Sequence, residues 1–176
     1  MKAMKKYVLI LSKTFPVKHP RHGEPTEFAT KLKNTLTCVK CTRLVDAICA
    51  ADCVCYKNVK LHTIRANYPL WKKRFEQIQR GEACLSIRQW EGKPRHSKTI
   101  EIAQLTKEDG IGLQRLTFDT KAVCPLCHPT IDGGNSWQPE TIAANDGLYF
   151  ADWQCWFDKY DLKQPLAIIH FTPCRY

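Results

Sequence analysis

Residues 58–71 read Asn-Val-Lys-Leu-His-Thr-Ile-Arg-Ala-Asn-Tyr-Pro-Leu-Trp, and this stretch decides both the fold and the candidate chemistry of the chain. Residues 61–65 are mostly apolar or β-branched and predict a strand. Asn67 predicts a helix N-cap, which puts Pro69 in the first helical turn, where its missing N–H group costs nothing. Positions 60–65 also carry a lysine, a histidine, a threonine and an arginine. We therefore expect this strand to belong to a functional site.

The composition indicates one globular domain with a basic surface. A chain of 176 residues can bury a sizeable core. The formal net charge of +10 favours a polyanionic partner, chiefly nucleic acid, over the alternative of a basic protein with no such partner. The apolar runs are too short to span a bilayer, and the run after Met1–Lys6 is too short for a signal peptide. We expect a strand there, a cytoplasmic location and no membrane partner.

The remaining patterns predict an α+β chain. Alternating strands with short polar turns between them indicate an antiparallel meander, which a small barrel would close without free edges. Helices are indicated where apolar residues recur at helical spacing after a capping residue. The predicted strands cover residues 7–12, 61–65, 83–90 (half-buried), 98–105, 111–118 and 166–172, and the predicted helices begin at Thr26, after Asn67 and near Tyr149.

The residues quoted first resemble the signature of the ASCH family, a branch of the PUA-like β-barrels. That signature is Gly-x-Lys, followed by a polar residue and an arginine at a strand. Asn58 stands at the glycine position, and Lys60, Thr63 and Arg65 match the other three. With threonine at the polar position, this stretch is similar to the corresponding strand of the ASCH-fold amidohydrolases that deacylate N4-acetylcytidine.

The resemblance implies a single domain over residues 1–176, built as a PUA-like small mixed or antiparallel β-barrel with flanking helices. Two cysteine-bearing segments, at about 38–57 and 119–140, depart from the family pattern and are interpreted as insertions. The chain would recognise RNA or a modified nucleoside at the barrel mouth.

Carried over to this chain, the amidohydrolase pattern implies that Lys60 is a base, that Thr63 is a nucleophile or orients a water, and that Asp146 is a proton donor. Strict alternation puts Lys60 and Thr63 on opposite faces, unless Lys60 precedes the strand or a bulge intervenes. The alternatives are a solvated lysine at a strand end, a threonine that only favours β structure, and an aspartate that favours the dipole at the start of the last helix.

Four further residues are candidates for binding a ligand or nucleic acid. Arg65 would bind phosphate or carboxylate through its planar fork, or would form a structural ion pair. Arg88 lies on the polar face of its predicted strand, and Lys13 begins a basic loop that either grips phosphate or is solvated. His62 would line the mouth or lie in the core, whereas His170, in an apolar strand, is expected to be a hydrogen-bonded core histidine.

The ten cysteines suggest either a structural zinc ion or free thiols. Cys38 with Cys41, and Cys124 with Cys127, form two Cys-x-x-Cys pairs that together could supply a tetrahedral set of four thiolates. The substitute ligands would be Cys53, Cys55 and His128. The predicted chemistry itself requires no cofactor.

Two functions follow from these observations. The first is an ASCH-like protein that binds RNA or a modified nucleoside at a basic barrel mouth and breaks no bond. The alternative is an amidohydrolase that deacylates an N-acylated nucleobase or nucleoside. The enzyme should bring Lys60 within hydrogen-bonding reach of Thr63, whereas the binding protein should show an open basic groove and salt-dependent affinity.

Overall fold

The computed structural model describes residues 4–37 and 58–176. Over these ranges the chain is α+β, as predicted, with seven strands, four helices and two short 3-10 turns. The strands are β1 (Lys5–Leu11), β2 (His62–Arg65), β3 (Ala83–Trp90), β4 (Thr99–Leu105), β5 (Gly112–Phe118), β6 (Pro129–Ile131) and β7 (Leu166–His170). The helices are α1 (Phe28–Thr37), α2 (Tyr68–Gln79), α3 (Pro139–Asn145) and α4 (Phe150–Phe157).

The strands form two sheets. The first has the order β1-β3-β4 and the second the order β2-β7-β5-β6. In the described ranges no strand of one sheet is paired with a strand of the other, so these strands do not form a closed barrel. The first strand, β1, runs parallel to β3, and the remaining pairs are antiparallel.

The predicted antiparallel meander is correct for one hairpin only. The strands β3 and β4 pair as expected across the loop of residues 91–98, where Glu91 N donates to Lys98 O. After β4, a 3-10 turn at Lys107–Asp109 ends at Gly110, whose φ is 71°, and the chain passes to the other sheet. There β5 pairs with β6 and β7 instead of β4. The meander prediction was wrong because strand partners depend on contacts distant in sequence, which short turns do not reveal.

The junction between β2 and α2 is formed by local chemistry, and its prediction is confirmed. Asn67 adopts a left-handed conformation with φ of 63°, and its side chain accepts a hydrogen bond from Leu70 N. Gly81, with φ of 78°, follows the helix and donates to Ile78 O. The buried face of α2 consists of Trp71, Phe75 and Ile78. No helix within the described ranges is both long and apolar enough to cross a bilayer.

The prediction that β3 is half-buried was wrong. Residues 83–87 are all buried, so both faces of this stretch are covered although its apolar and polar residues alternate. The one hydroxyl in this run forms a hydrogen bond with the neighbouring strand β4, since Ser86 Oγ donates to Glu101 Oε2 at 2.5 Å. A polar residue in a strand therefore did not mark a solvated face.

One side chain links the two sheets. Arg65, the last residue of β2, donates from Nη2 to Ile10 O of β1 at 2.7 Å and from Nη1 to Ile64 O at 3.0 Å. The guanidinium therefore bridges the edge of the first sheet and the end of a strand of the second. This bridge brings β1 close to the segment that carries the candidate site.

Candidate active site

Lys60 lies immediately before β2, on a segment held by backbone hydrogen bonds. Its own N–H donates to Thr35 Oγ1 at 3.0 Å, and Leu61 N donates to Asn145 O at 2.8 Å. Because the strand begins only at His62, Lys60 is outside its strict alternation. The side chain turns inward and the residue is fully buried. The alternative of a solvated strand-end lysine is therefore wrong.

The ammonium of Lys60 pairs with Asp146. Lys60 Nζ lies 2.5 Å from Asp146 Oδ1 and 2.5 Å from the backbone oxygen of the same residue. The two side chains are only 1% and 5% exposed. Asp146 ends α3 and donates its N–H to Ile142 O, so its carboxylate sits at the C-terminal end of that helix. The alternative of an acid at a helix N-terminus is wrong, and Lys60 offsets the unfavourable dipole there.

An aromatic ring and a second lysine complete the surroundings of this pair. Lys60 Nζ lies 3.9 Å from the centroid of the Phe28 ring, which is a cation–π distance. Lys31 Nζ donates to Gly147 O at 2.7 Å. Gly147 has a φ of 81°, and a Cβ on it would lie 3.2 Å from Val59 O. A glycine is therefore required for residues 146–147 to approach residues 59–60.

Burial shifts the pKa values of both partners toward the neutral pair. Burial lowers the pKa of Lys60 from 10.5 to about 8, and the charge and hydrogen bond of Asp146 oppose this shift. Burial likewise raises the pKa of the Asp146 carboxyl, opposed by Lys60. Because the two groups are 2.5 Å apart, a proton can pass between them. The pair can therefore act both as a proton acceptor and as a proton donor near neutral pH.

Thr63 is buried but does not join this pair. It lies inside β2, opposite Ile169 of β7, and is 2% exposed. Within the described part of the chain, the hydrogen bonds of Lys60 Nζ go to Asp146 and none goes to Thr63. The hydrogen bond expected for an assembled nucleophile and base is therefore not formed in this structure.

Of the other predicted cations in the described ranges, Arg65 is near enough to interact electrostatically with Lys60 and Asp146, but none donates a hydrogen bond to the pair. The Arg65 guanidinium donates its hydrogen bonds to backbone carbonyls. Burial lowers the pKa of Arg65, and the charge of Asp146 opposes that shift. Arg88 donates from Nη2 to Thr99 O within the first sheet. Lys13 is exposed and donates to Glu91 O at 2.9 Å. Of these three cations, Arg65 is therefore the one that interacts with the Lys60–Asp146 pair, while Arg88 and Lys13 are bonded to backbone carbonyls of β4 and of the segment after β3.

The basic loop between β1 and α1 is anchored on α4. Arg21 Nη1 lies 2.7 Å from Asp152 Oδ2, and Arg21 Nε lies 2.7 Å from Glu24 Oε2. The buried His19 ring contacts Asp152 O through Nε2 at 3.1 Å. This loop is consequently held in place by side-chain contacts, and Arg21 is already neutralised by two carboxylates.

His62 and His170 lie in the core, next to the Lys60 segment. Both residues are 1% exposed. Burial, as the largest cause, lowers the pKa of His62 well below 6.5 and that of His170 to about 3, so both rings are neutral. His62 Nε2 lies 2.7 Å from the phenol oxygen of Tyr176, which also accepts a hydrogen bond from Asn145 Nδ2 at 2.8 Å.

The cysteine prediction is only partly covered by the structure. Cys124 and Cys127 form a disulfide, and sulfur atoms in that form cannot act as thiolate ligands. Cys38, Cys41, Cys53 and Cys55 lie outside the described residues. Within residues 4–37 and 58–176, no group of three or more His, Cys, Asp or Glu side chains is placed to hold a metal ion.

Sequence reasoning missed several residues of the site: Phe28, Lys31, Thr35, Asn145 and Tyr176. Thr35 had a detectable signal, because it stands seven residues after Phe28 and so shares the apolar face of α1. A polar residue on such a face needs a partner, which turns out to be the backbone of Lys60. Tyr176 had no comparable signal, since nothing in its neighbourhood marks it as a partner of His62.

Comparisons of the chain with protein-family models, with curated proteins and with solved structures returned no match.

Proposed function

We propose that this protein is an ASCH-like amidohydrolase with a PUA-like arrangement of its two sheets, acting on an N-acylated nucleobase or nucleoside. The buried contact between Lys60 Nζ and Asp146 Oδ1 supports this proposal most directly. The two residues are 86 positions apart, and both were selected by their match to the amidohydrolase pattern. Burying a lysine and an aspartate is expensive, so a functional reason for retaining them is favoured.

The proposed reaction adds water across the C–N bond of the amide. From the ion pair of the resting protein, a proton first passes from Lys60 to Asp146 across their 2.5 Å contact, and neutral Lys60 then takes a proton from the attacking water as the new C–O bond forms. Protonated Asp146 gives its proton to the departing amine nitrogen as the C–N bond breaks. Lys60 then carries a proton and Asp146 does not, which restores the starting ion pair.

A second function, recognition of RNA or a modified nucleoside without bond cleavage, is favoured by the charge distribution. The chain has a formal net charge of +10. The turn between β3 and β4 exposes Lys93, Arg95 and Lys98, and Lys13 is joined to that turn through Glu91 O. None of these four cations forms an ion pair within the described residues. Such a cluster suits phosphate contacts whose affinity falls as salt is added.

The experiment that tests the proposal is incubation of the purified protein with N4-acetylcytidine and related N-acyl nucleosides, followed by chromatography. We expect deacylation by the natural chain and a loss of 10² to 10⁴ in rate for Lys60→Ala, which is the usual contribution of a general acid or base. Lys33→Ala is the matched control, because Lys33 is an exposed lysine on α1.

The amidohydrolase proposal would be refuted if the natural chain hydrolysed none of the N-acyl substrates. It would also be refuted if Lys60→Ala hydrolysed them at the same rate as the natural chain. The near-ultraviolet circular dichroism of each variant has to match that of the natural chain before its rate is interpreted. Binding of single-stranded RNA between 50 and 200 mM salt then tests the second function, with Lys93→Ala/Arg95→Ala/Lys98→Ala as the variant and a shallower salt slope as the expected result.

A further inference from the structure

A cluster of polar and aromatic side chains lies on the face of the second sheet beside Lys60. His62 of β2 and His170 of β7 are direct cross-strand neighbours, with ring centroids 5.5 Å apart. The Tyr176 ring lies 5.6 Å from the first and 5.7 Å from the second. Asn145, the last residue of α3, reaches the same phenol through its amide nitrogen. The cluster therefore joins β2, β7, α3 and the segment after β7.

Three buried polar atoms of this cluster have no hydrogen-bond partner among the described residues: His62 Nδ1, His170 Nε2 and Asn145 Oδ1. Buried polar atoms in native proteins nearly always have a partner, because an unmade hydrogen bond leaves the desolvation penalty uncompensated. One such atom is unremarkable in a folded chain. Three on neighbouring side chains mark this cluster as a place that would hold polar partners.

The hydrogen-bond network assigns complementary roles to two of these atoms. Asn145 Nδ2 donates to the phenol oxygen of Tyr176, and the phenol O–H can then donate to His62 Nε2. In that arrangement the neutral ring of His62 carries its proton on Nδ1, which is a donor. Asn145 Oδ1 is an acceptor. The cluster therefore offers a donor and an acceptor, together with His170 Nε2, to whatever partner it holds.

We propose that His62, His170 and Asn145 form a recognition subsite for the polar edge of a planar heterocycle, one that presents an adjacent hydrogen-bond donor and acceptor. The cyclic amide or amidine edge of a nucleobase is of this class. The subsite rests on the proposed function, because Asn145 adjoins Asp146 and His62 is two residues from Lys60. The subsite would hold the base while the Lys60–Asp146 pair faces its acyl group.

The surroundings favour a heterocycle over a metal ion. Two imidazoles and an amide oxygen include no thiolate or carboxylate, and no metal-binding group of His, Cys, Asp or Glu is present in the described residues. Trp137, with its ring 5.0 Å from that of Tyr176, lines the outer side. Both aromatic residues are partly exposed, whereas His62, His170 and Asn145 are each 1% exposed, so a planar ring reaches the cluster only when Trp137 or Tyr176 moves aside.

The test is a titration of the full chain with cytidine and with N4-acetylcytidine. Binding is monitored through the imidazole carbon-13 signals of His62 and His170 in NMR spectra. Ribose serves as a probe that lacks the base. Both histidine signals should shift with the two nucleosides and not with ribose. His170→Phe should bind about tenfold more weakly for the hydrogen bond lost, whereas His170→Gln, which keeps a polar atom, should stay within about threefold. His96→Phe, at an exposed histidine, is the matched control.

The outcomes separate this inference from the proposed function. Shifts of both histidines without turnover would support the subsite while the hydrolase proposal fails. Turnover or binding that leaves both signals unmoved would overturn the subsite and leave the hydrolase standing. No binding of either nucleoside, with water contacts at both rings in the same spectra, would also overturn it, because ordered water alone would then satisfy the three atoms. Signals of the natural chain decide the matter even if a His170 variant does not fold.

Discussion

The substitution Asp146→Asn tests whether Lys60 is held as a charged group in the core. The change keeps the shape of the side chain and removes the negative charge 2.5 Å from Lys60 Nζ. Breaking one partner of a buried ion pair typically costs about 3–5 kcal/mol, because a charge is left buried without compensation. We expect a loss of this size in the free energy of unfolding at pH 7.

The pH dependence of this loss follows from the pKa of Lys60. A lysine with a folded-state pKa of about 8 and an ordinary value of 10.5 binds its proton more strongly when unfolded. Its penalty on stability is therefore fully present below pH 8, and it is removed as the pH rises from about 8 to 10.5. Since Asp146 raises the Lys60 pKa, its removal moves the start of this window below pH 8.

Between pH 7 and 8, therefore, Asp146→Asn should gain stability with a slope of up to about 1.4 kcal/mol per pH unit, while the natural chain gains little. The assay is urea denaturation followed by circular dichroism from pH 6.5 to 9. Glu82→Gln, which breaks the exposed pair with Arg80, is the control and should leave stability and its pH profile unchanged. Lys60→Met/Asp146→Leu should recover most of the loss and show no such slope. A loss below about 1 kcal/mol, or a profile parallel to that of the natural chain, would refute the reasoning.

Three further substitutions test the packing around the site. Phe28→Leu removes the ring 3.9 Å from Lys60 Nζ and should lower the free energy of unfolding by about 1–3 kcal/mol in urea, through lost cation–π contact and packing; an unchanged value would mean that the ring does not support the ammonium. Gly147→Ala places a Cβ at a φ of 81° and should cost about 1–2 kcal/mol, seen as a lower melting temperature in calorimetry. Asn67→Ala should cost about 1–2 kcal/mol and Asn67→Gly only a few tenths, since glycine tolerates the φ of 63°; equal losses in the two thermal melts would contradict the role of this left-handed conformation.

Local chemistry was the part of the fold that sequence could predict. Asn67, Gly81 and Gly110 act through their own backbone conformation and their nearest neighbours, so the boundaries they set agree with the structure. Strand partnership was not predictable in this way. The parallel pairing of β1 with β3 and the passage of β5 to the second sheet depend on residues that are distant in sequence.

The candidate site, like the fold, could be predicted from the sequence only in part. Lys60 and Asp146 were named because the quoted residues resemble a family pattern, and the structure brings them together. Thr63 matches the same pattern, yet its strand directs it away from the hydrogen bond expected with Lys60. Burial of the pair was not predictable, because a lysine just before a short polar-rich strand gives no sign of how it will be covered.

The bridge made by Arg65 has a consequence for how the molecule unfolds. Adjacent strands are usually held by a repeated series of backbone hydrogen bonds, so one altered residue leaves most of them in place. The contact of Arg65 with Ile10 O is a single side-chain bond between two sheets that are not paired strand to strand. Its loss would leave each sheet with all its own backbone pairs. The sheets also share one hydrophobic core, which includes Leu9 and Ile87 of the first sheet and Ile64 and Ile168 of the second. The sheets therefore stay coupled, and a substitution at position 65 should lower the stability of the whole unit without altering a single strand.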